Sequence, residues 1–188
     1  FATSYLGGHP NQYDVVKPSQ DMGRIVEAIS GNLDAYRRLH GAVITGLERN
    51  ADYFHIQGMD PDGRINPAYE RLLDVDNLID YMIMNLFGGN IHWPSNNWAM
   101  LRRRLPGEGF KFITWDGEGV FRDTYTNQTG VNNPHGPAFF YSALRQNNEF
   151  RVLFGDHVHR HLFNDGVLTP QAAALQWNEL ADKIRSPL

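Results

Sequence analysis

Asn97, Asp116 and Glu118 are oxygen-bearing side chains that a short hairpin would gather at one point. A hard divalent cation takes such oxygens. The runs Trp98 to Arg103 and Phe110 to Trp115 are apolar or alternating, and they flank Pro106-Gly107-Glu108-Gly109. That pattern predicts two antiparallel strands around a turn. Centring the turn between Arg104 and Gly109 sets Asn97 opposite Asp116, with Glu118 just beyond. Cross-strand neighbours lie about 5 Å apart at Cβ, so the amide oxygen and the carboxylate converge. Mg²⁺ is held by few protein oxygens together with substrate phosphates, which suits the pair. A slip of one residue would turn the two side chains to opposite faces, so the reading depends on register. His92, five residues before Asn97, is either a residue lining this corner or a loop histidine packed on Trp93. Lys17 ends an early strand and has two readings: a cation reaching toward phosphates, or a solvated lysine.

The elements that must hold these groups follow from periodicity. Val75, Leu78, Ile79, Met82, Ile83 and Leu86 recur at helical spacing after Asp74 or Asp76, either of which can cap, and Gly88-Gly89 ends the run. This helix delivers the chain into the polar loop Asn90 to Asn97. Upstream, Tyr13 to Lys17 reads as a strand stopped by Pro18, followed by helices over about 21–39 and 43–57. Residues 117–136 hold many Gly, Asn, Thr and Pro and predict a long loop. Helices are expected at 137–146, 149–163 and 170–184, the last with Thr169 as N-cap and Pro170 at its first position. The inventory is α+β, mostly helical with a small sheet.

Composition narrows the chemistry. With 17 basic and 21 acidic residues in 188, the formal charge is −4, which lacks the basic surplus of a nucleic-acid footprint. Hydrophobic residues at 41% and charged residues at 20% describe a globular chain. No apolar run approaches the roughly 18 residues of a membrane span. Cysteine is absent, which removes disulfides, thiol nucleophiles and thiolate metal sites. Neither a Gly-x-Ser-x-Gly elbow nor a Walker-type loop occurs, which disfavours serine hydrolase and P-loop chemistry. His157 and His161 stand four apart on one predicted helix, but zinc wants three or four ligands, so a surface or boundary helix is the expectation. Arg102-Arg103-Arg104 reads as a charge cluster at the hairpin tip, or as a patch meeting an acidic substrate. Asp74, Asp76 and Asp80 read as a cap and an exposed helix face, and Trp93, Trp98, Trp115 and Trp177 as core. Asn127-Gln128-Thr129 fits a glycosylation acceptor by pattern alone.

The order helix, polar loop, Asn, hairpin, Asp is also the plan of a protein-kinase catalytic region. More specifically, Leu73-Asp74-Val75-Asp76-Asn77-Leu78-Ile79-Asp80-Tyr81 resembles the CotH family, the spore-coat-protein-H-like atypical kinases. So do Asn90-Ile91-His92-Trp93-Pro94-Ser95-Asn96-Asn97-Trp98 and Ile113-Thr114-Trp115-Asp116-Gly117-Glu118. The opening Tyr13-Asp14-Val15-Val16-Lys17, the run Asn148-Glu149-Phe150-Arg151, and Asn164 to Pro170 extend the likeness along nearly the whole chain.

The resemblance implies a kinase-like fold and Mg²⁺- and ATP-dependent phosphorylation of protein Ser or Thr hydroxyls. Asn97 and Asp116 match the family's metal-binding residues, and Glu118 replaces the second Asp of its Trp-Asp-x-Asp motif. His92 takes the place of the catalytic Asp. An imidazole can accept a hydroxyl proton but lacks the fixed charge that orients the hydroxyl, so a pseudokinase serving as a binding or coat-assembly module is the alternative. The resemblance also implies that 1–188 is the larger, C-terminal part of the domain, with the N-terminal lobe largely outside this chain. It further implies a secreted or cell-surface bacterial protein carrying additional extracellular modules.

Overall fold

A computed structural model describes residues 2–20, 25–94, 96–133 and 135–185. The order is α1 (Ala2–Leu6), β1 (Tyr13–Pro18), β2 (Val26–Ser30), α2 (Asp34–Thr45), α3 (Asn50–His55), α4 (Val75–Phe87), β3 (Trp98–Arg103), β4 (Lys111–Thr114), α5 (Pro137–Leu144), α6 (Asn148–Leu162) and α7 (Pro170–Arg185). The strands form one antiparallel sheet in the order β2-β1-β3-β4, an α+β arrangement. The chain divides into two compact units, Phe1–Phe150 and Arg151–Leu188. Among the described residues no helix is long and apolar enough to cross a membrane.

In the first unit, α4 forms as its periodicity predicts. The Asp74 carboxylate accepts from the Asn77 amide at 3.1 Å, Leu78 and Ile79 are fully buried, and Gly88 closes the helix. The helix packs against β4 and α5, where Phe112 and Phe140 stand 5.9 Å apart in the core. The polar edge of β4, at the margin of the sheet, is closed by a side chain. Asn77 Nδ2 donates to Phe112 O at 3.2 Å, and Phe112 N–H donates to Asn77 Oδ1 at 2.6 Å. Before α4, Asp74 N–H donates to Phe110 O and Phe110 N–H to Leu72 O, both at 2.9 Å. Lys111 and Arg71 both pair with the Asp74 carboxylate.

The helix expected over 21–39 is not formed as such. Residues 21–24 lie outside the described residues, and Val26–Ser30 is a strand paired with β1. Val26 and Ile29 are β-branched, and β1 supplies a partner that sequence periodicity cannot see. The next helix starts at Asp34, where Asn32 Oδ1 accepts from the Asp34 amide at 2.8 Å. It then runs through the expected break to Thr45, and the second expected helix shrinks to α3.

Arg102, Arg103 and Arg104 are not a free cluster at a hairpin tip. Arg102 is 8% exposed, donates to Glu108 O at 2.8 Å and pairs with Glu70 at 2.8 Å. Arg103 donates twice to Gln12 Oε1, at 3.2 and 2.9 Å, and Arg104 pairs with Asp14 at 2.8 Å. Arg104 also donates to Asn11 O. Arg102 ties the hairpin to the segment around Glu70, and Arg103 and Arg104 both tie it to residues 11–14, so an acidic ligand would have to displace a carboxylate or an amide already in place.

In the second unit, Thr169 Oγ1 accepts from Ala172 N–H at 3.4 Å and caps α7, as expected. Trp177 is 73% exposed, contrary to the core reading, while Trp93 and Trp98 are buried as expected. The helix α6 is a boundary helix in which His157 is buried and His159 is exposed.

Candidate active site

The loop from α4 to β3 is fixed by buried amides. Asn85 Nδ2 donates to Tyr81 O at 2.8 Å, Asn90 Nδ2 donates to Asn85 Oδ1 at 2.8 Å, and Asn90 Oδ1 accepts from His92 N–H at 3.1 Å. Asn85 and Asn90 are both nearly fully buried, so this chain carries the rigidity of α4 to the His92 backbone. Ile91 N–H donates to Gly119 O at 3.4 Å, joining the loop to the 3₁₀ turn Gly117–Gly119. A Cβ on Gly119 would stand 3.1 Å from His92 Cγ and 3.2 Å from Nδ1, so the imidazole rests directly on glycine backbone.

The hairpin is one residue out of the predicted register. Trp98 pairs with Thr114 and Met100 with Phe112, where the sequence reading set Asn97 against Asp116 within the ladder. That slip alone would part the two side chains. They meet nonetheless: Asn97 Nδ2 donates to Asp116 Oδ2 at 2.9 Å. The strand stops at Thr114, and Asp116 adopts the left-handed conformation, φ 55° and ψ 57°, which swings its carboxylate back across the mouth of the hairpin. Trp115 leaves the sheet with the chain and is 60% exposed, which corrects the core reading.

Around Asp116 the candidate residues assemble. His92, Asp116 and Glu118 each offer a ligand atom within 4.8 Å of the others, and His92 Nδ1 lies 3.2 Å from Glu118 Oε1. The neighbouring Glu118 carboxyl pushes the Asp116 carboxyl up, and the same neighbour holds Glu118 below the ordinary carboxylate range. Among the described residues neither carboxylate pairs with a Lys or Arg. Two exposed acids with an amide and an imidazole and no basic counter-charge fit a divalent cation. Lys17 pairs across the β1–β2 ladder with Glu27 at 3.2 Å, one residue beyond Val16, which stands beside Met100 of β3.

The CotH kinase protein family matches residues 43–188. The chain belongs to that family. His92, Asn97, Asp116 and Glu118 fall inside the matched span, while Lys17 and the β1–β2 hairpin precede it. No curated protein and no solved structure matches the chain. Within this CotH domain an open cleft of about 880 Å³ lies at the far end of β3, bordered by Arg38, Glu70, Arg71, Arg102 and Arg104. At about 3.3 Å per residue it stands roughly 17 Å along the strand from Asn97.

Three contributors were not singled out from sequence. Asn85 and Asn90 had a readable signal, since Asn85 is an amide one helical step beyond Met82 in the apolar stripe. Gly119 had none, because its role depends on the neighbouring loop arriving against it.

Proposed function

We propose that this CotH domain binds Mg²⁺–ATP at the Asn97, Asp116 and Glu118 corner and transfers the γ-phosphoryl group to a protein Ser or Thr hydroxyl. The observation that carries the reading is the meeting of Asn97 and Asp116 at 2.9 Å, with Glu118 and His92 alongside and no basic partner among the described residues. Mg²⁺, when bound, neutralises phosphate charge. Asn97 orients the Asp116 carboxylate, and Asp116 and Glu118 supply the anionic oxygens. The acceptor hydroxyl oxygen bonds to the γ-phosphorus, and the bond to the bridging oxygen of ADP breaks. The hydroxyl proton passes to the imidazole of His92 at Nε2, Nδ1 being turned toward Glu118.

One feature supports a second reading, a non-catalytic binding module: His92 lacks the fixed negative charge that orients a hydroxyl. The test is transfer of labelled γ-phosphate by full-length protein to itself or to a Ser-rich acceptor. The proposal expects transfer by wild type and loss with Asp116→Ala. No transfer by wild type, with transfer gained by His92→Asp, refutes the enzyme and supports the binding module.

A further inference from the structure

The tethers at the hairpin tip leave hydrogen-bond donors over. The open cleft of about 880 Å³ lies between residues 57–71, pinned by the bridges Gln57 to Arg71 and Met59 to Ile65, and residues 104–107 of the tip. At its border Arg38 Nε and Nη2 both donate to Glu70 at 2.8 Å, and Arg102 Nη1 pairs with the same carboxylate at 2.8 Å. One carboxylate thus serves two guanidiniums. Asp74 likewise serves both Arg71 and Lys111, so each trio carries one positive charge in excess. Arg102 is 8% exposed, and no hydrogen bond among the described residues uses its Nη2. Arg71 Nε is buried and has no hydrogen-bond partner among them either.

We propose that this cleft binds a phosphoserine or phosphothreonine of a polypeptide substrate, its phosphate replacing Glu70 on Arg38 and Arg102. The choice of occupant rests on the proposed phosphoryl transfer to Ser or Thr hydroxyls, of which such a residue is the product. Two parallel bonds from one guanidinium, with a further donor from a second, suit a phosphate as well as a carboxylate, and Glu70 holds the place of that anion. A phosphomonoester brings about −1.5 to −2 charge and three acceptor oxygens at neutral pH, against one charge and two oxygens for Glu70. The excess positive charge and the unused Arg102 Nη2 therefore favour the exchange. An Asp or Glu of a ligand would only replace like with like. Glu70 is free to swing aside, because residues 67–70 form an exposed turn and its end.

An extended chain covers the roughly 17 Å between this cleft and Asn97 in about five residues. One polypeptide can therefore leave its phosphate in the cleft and present a second hydroxyl near His92. The second encounter is then intramolecular, so a first phosphorylation favours another about five residues away.

The test is calorimetric titration of full-length protein with a peptide carrying one phosphoserine, with its serine and aspartate counterparts, and with inorganic phosphate. Mg²⁺–ATP serves as competitor. The phosphopeptide should bind at least about tenfold tighter than the other three ligands, the worth of one hydrogen bond to a charged group. Arg38→Ala should weaken it at least about tenfold. The Arg38 side chain is 52% exposed, so the variant should fold. Glu70→Gln keeps the shape, withdraws the competing charge and should tighten binding about tenfold. Equal binding of the three peptides, indifference to Arg38→Ala, or a Glu70→Gln variant that does not bind tighter overturns the inference. Inorganic phosphate binding as tightly overturns a polypeptide source, and displacement by Mg²⁺–ATP assigns the cleft to nucleotide instead. Asp116→Ala should leave phosphopeptide binding unchanged, so the two readings fail separately. Transfer without phosphopeptide preference overturns the cleft alone, and phosphopeptide binding without transfer upholds the cleft and refutes the enzyme.

Discussion

Replacing Asn77 with Ala should unlatch the outer edge of the sheet. The side chain makes two hydrogen bonds to the Phe112 backbone, at 2.6 and 3.2 Å, on a residue that is 2% exposed. Two net hydrogen bonds contribute about 1 kcal/mol each, and a buried amide left unpaired costs about 1–3 kcal/mol. Water reaching one group recovers part of this, so about 2–4 kcal/mol is expected. For a chain of this length that lowers the thermal midpoint by roughly 5–15 °C. Urea denaturation of wild type, Asn77→Ala and Asn77→Asp measures it. Asn77→Asp keeps the acceptor for Phe112 N–H but sets a carboxylate against Phe112 O, so it should fall at least as far as Ala. A loss under about 0.5 kcal/mol in both, with unchanged denaturant slope, would refute the latch. Because β4 runs on toward Asp116, the same variants should weaken cation binding without touching a ligand.

Two further outcomes follow from the ion pairs. Burial pushes the Asp74 carboxyl up, but Lys111, the Asn77 amide and Arg71 outweigh burial and hold it below the ordinary carboxylate range. A depressed carboxylate contributes stability that is full above the unfolded value near 3.9 and is lost as pH falls through the folded value. The stability gap between wild type and Asp74→Asn, read by urea at pH 7 and below about pH 3, should therefore shrink in acid; a constant gap refutes the pairing. Glu70 accepts from Arg38 twice at 2.8 Å and pairs with Arg102, whose side chain is 9% exposed. Glu70→Ala strands that buried guanidinium and should destabilise by about 1–3 kcal/mol, discounted because Glu70 itself is partly solvated. No change in the denaturation midpoint would show that Arg102 finds another partner.

Where a segment carried its own signals, the sequence was enough. The cap, apolar stripe and glycine stop of α4 are local, and so are the bounds of β3. The strand β2 was read as helix because its pairing with β1 is not local. The meeting of Asn97 with Asp116 was anticipated through the wrong register. It survives because a single left-handed residue undoes the slip, and an Asp before Gly117 does not announce that backbone. The arginine run shows the limit of charge patterning. Consecutive like charges signal a solvated patch only when no carboxylate or amide comes within reach, and here Glu70 arrives from one distant segment and Gln12 and Asp14 from another.

Those arginines make the two ends of the hairpin unlike. The tip is tethered through three guanidiniums to two preceding segments, whereas across the mouth Asn97 and Asp116 share one solvent-facing bond. Local opening concentrates where backbone is exposed and contacts are few. Amide hydrogen exchange should therefore be slow at Arg102–Arg104 and fast from Trp115 to Gly119. Saturation with a divalent cation should slow it at the second place alone, so the hairpin works as a reed clamped at one end and damped at the other.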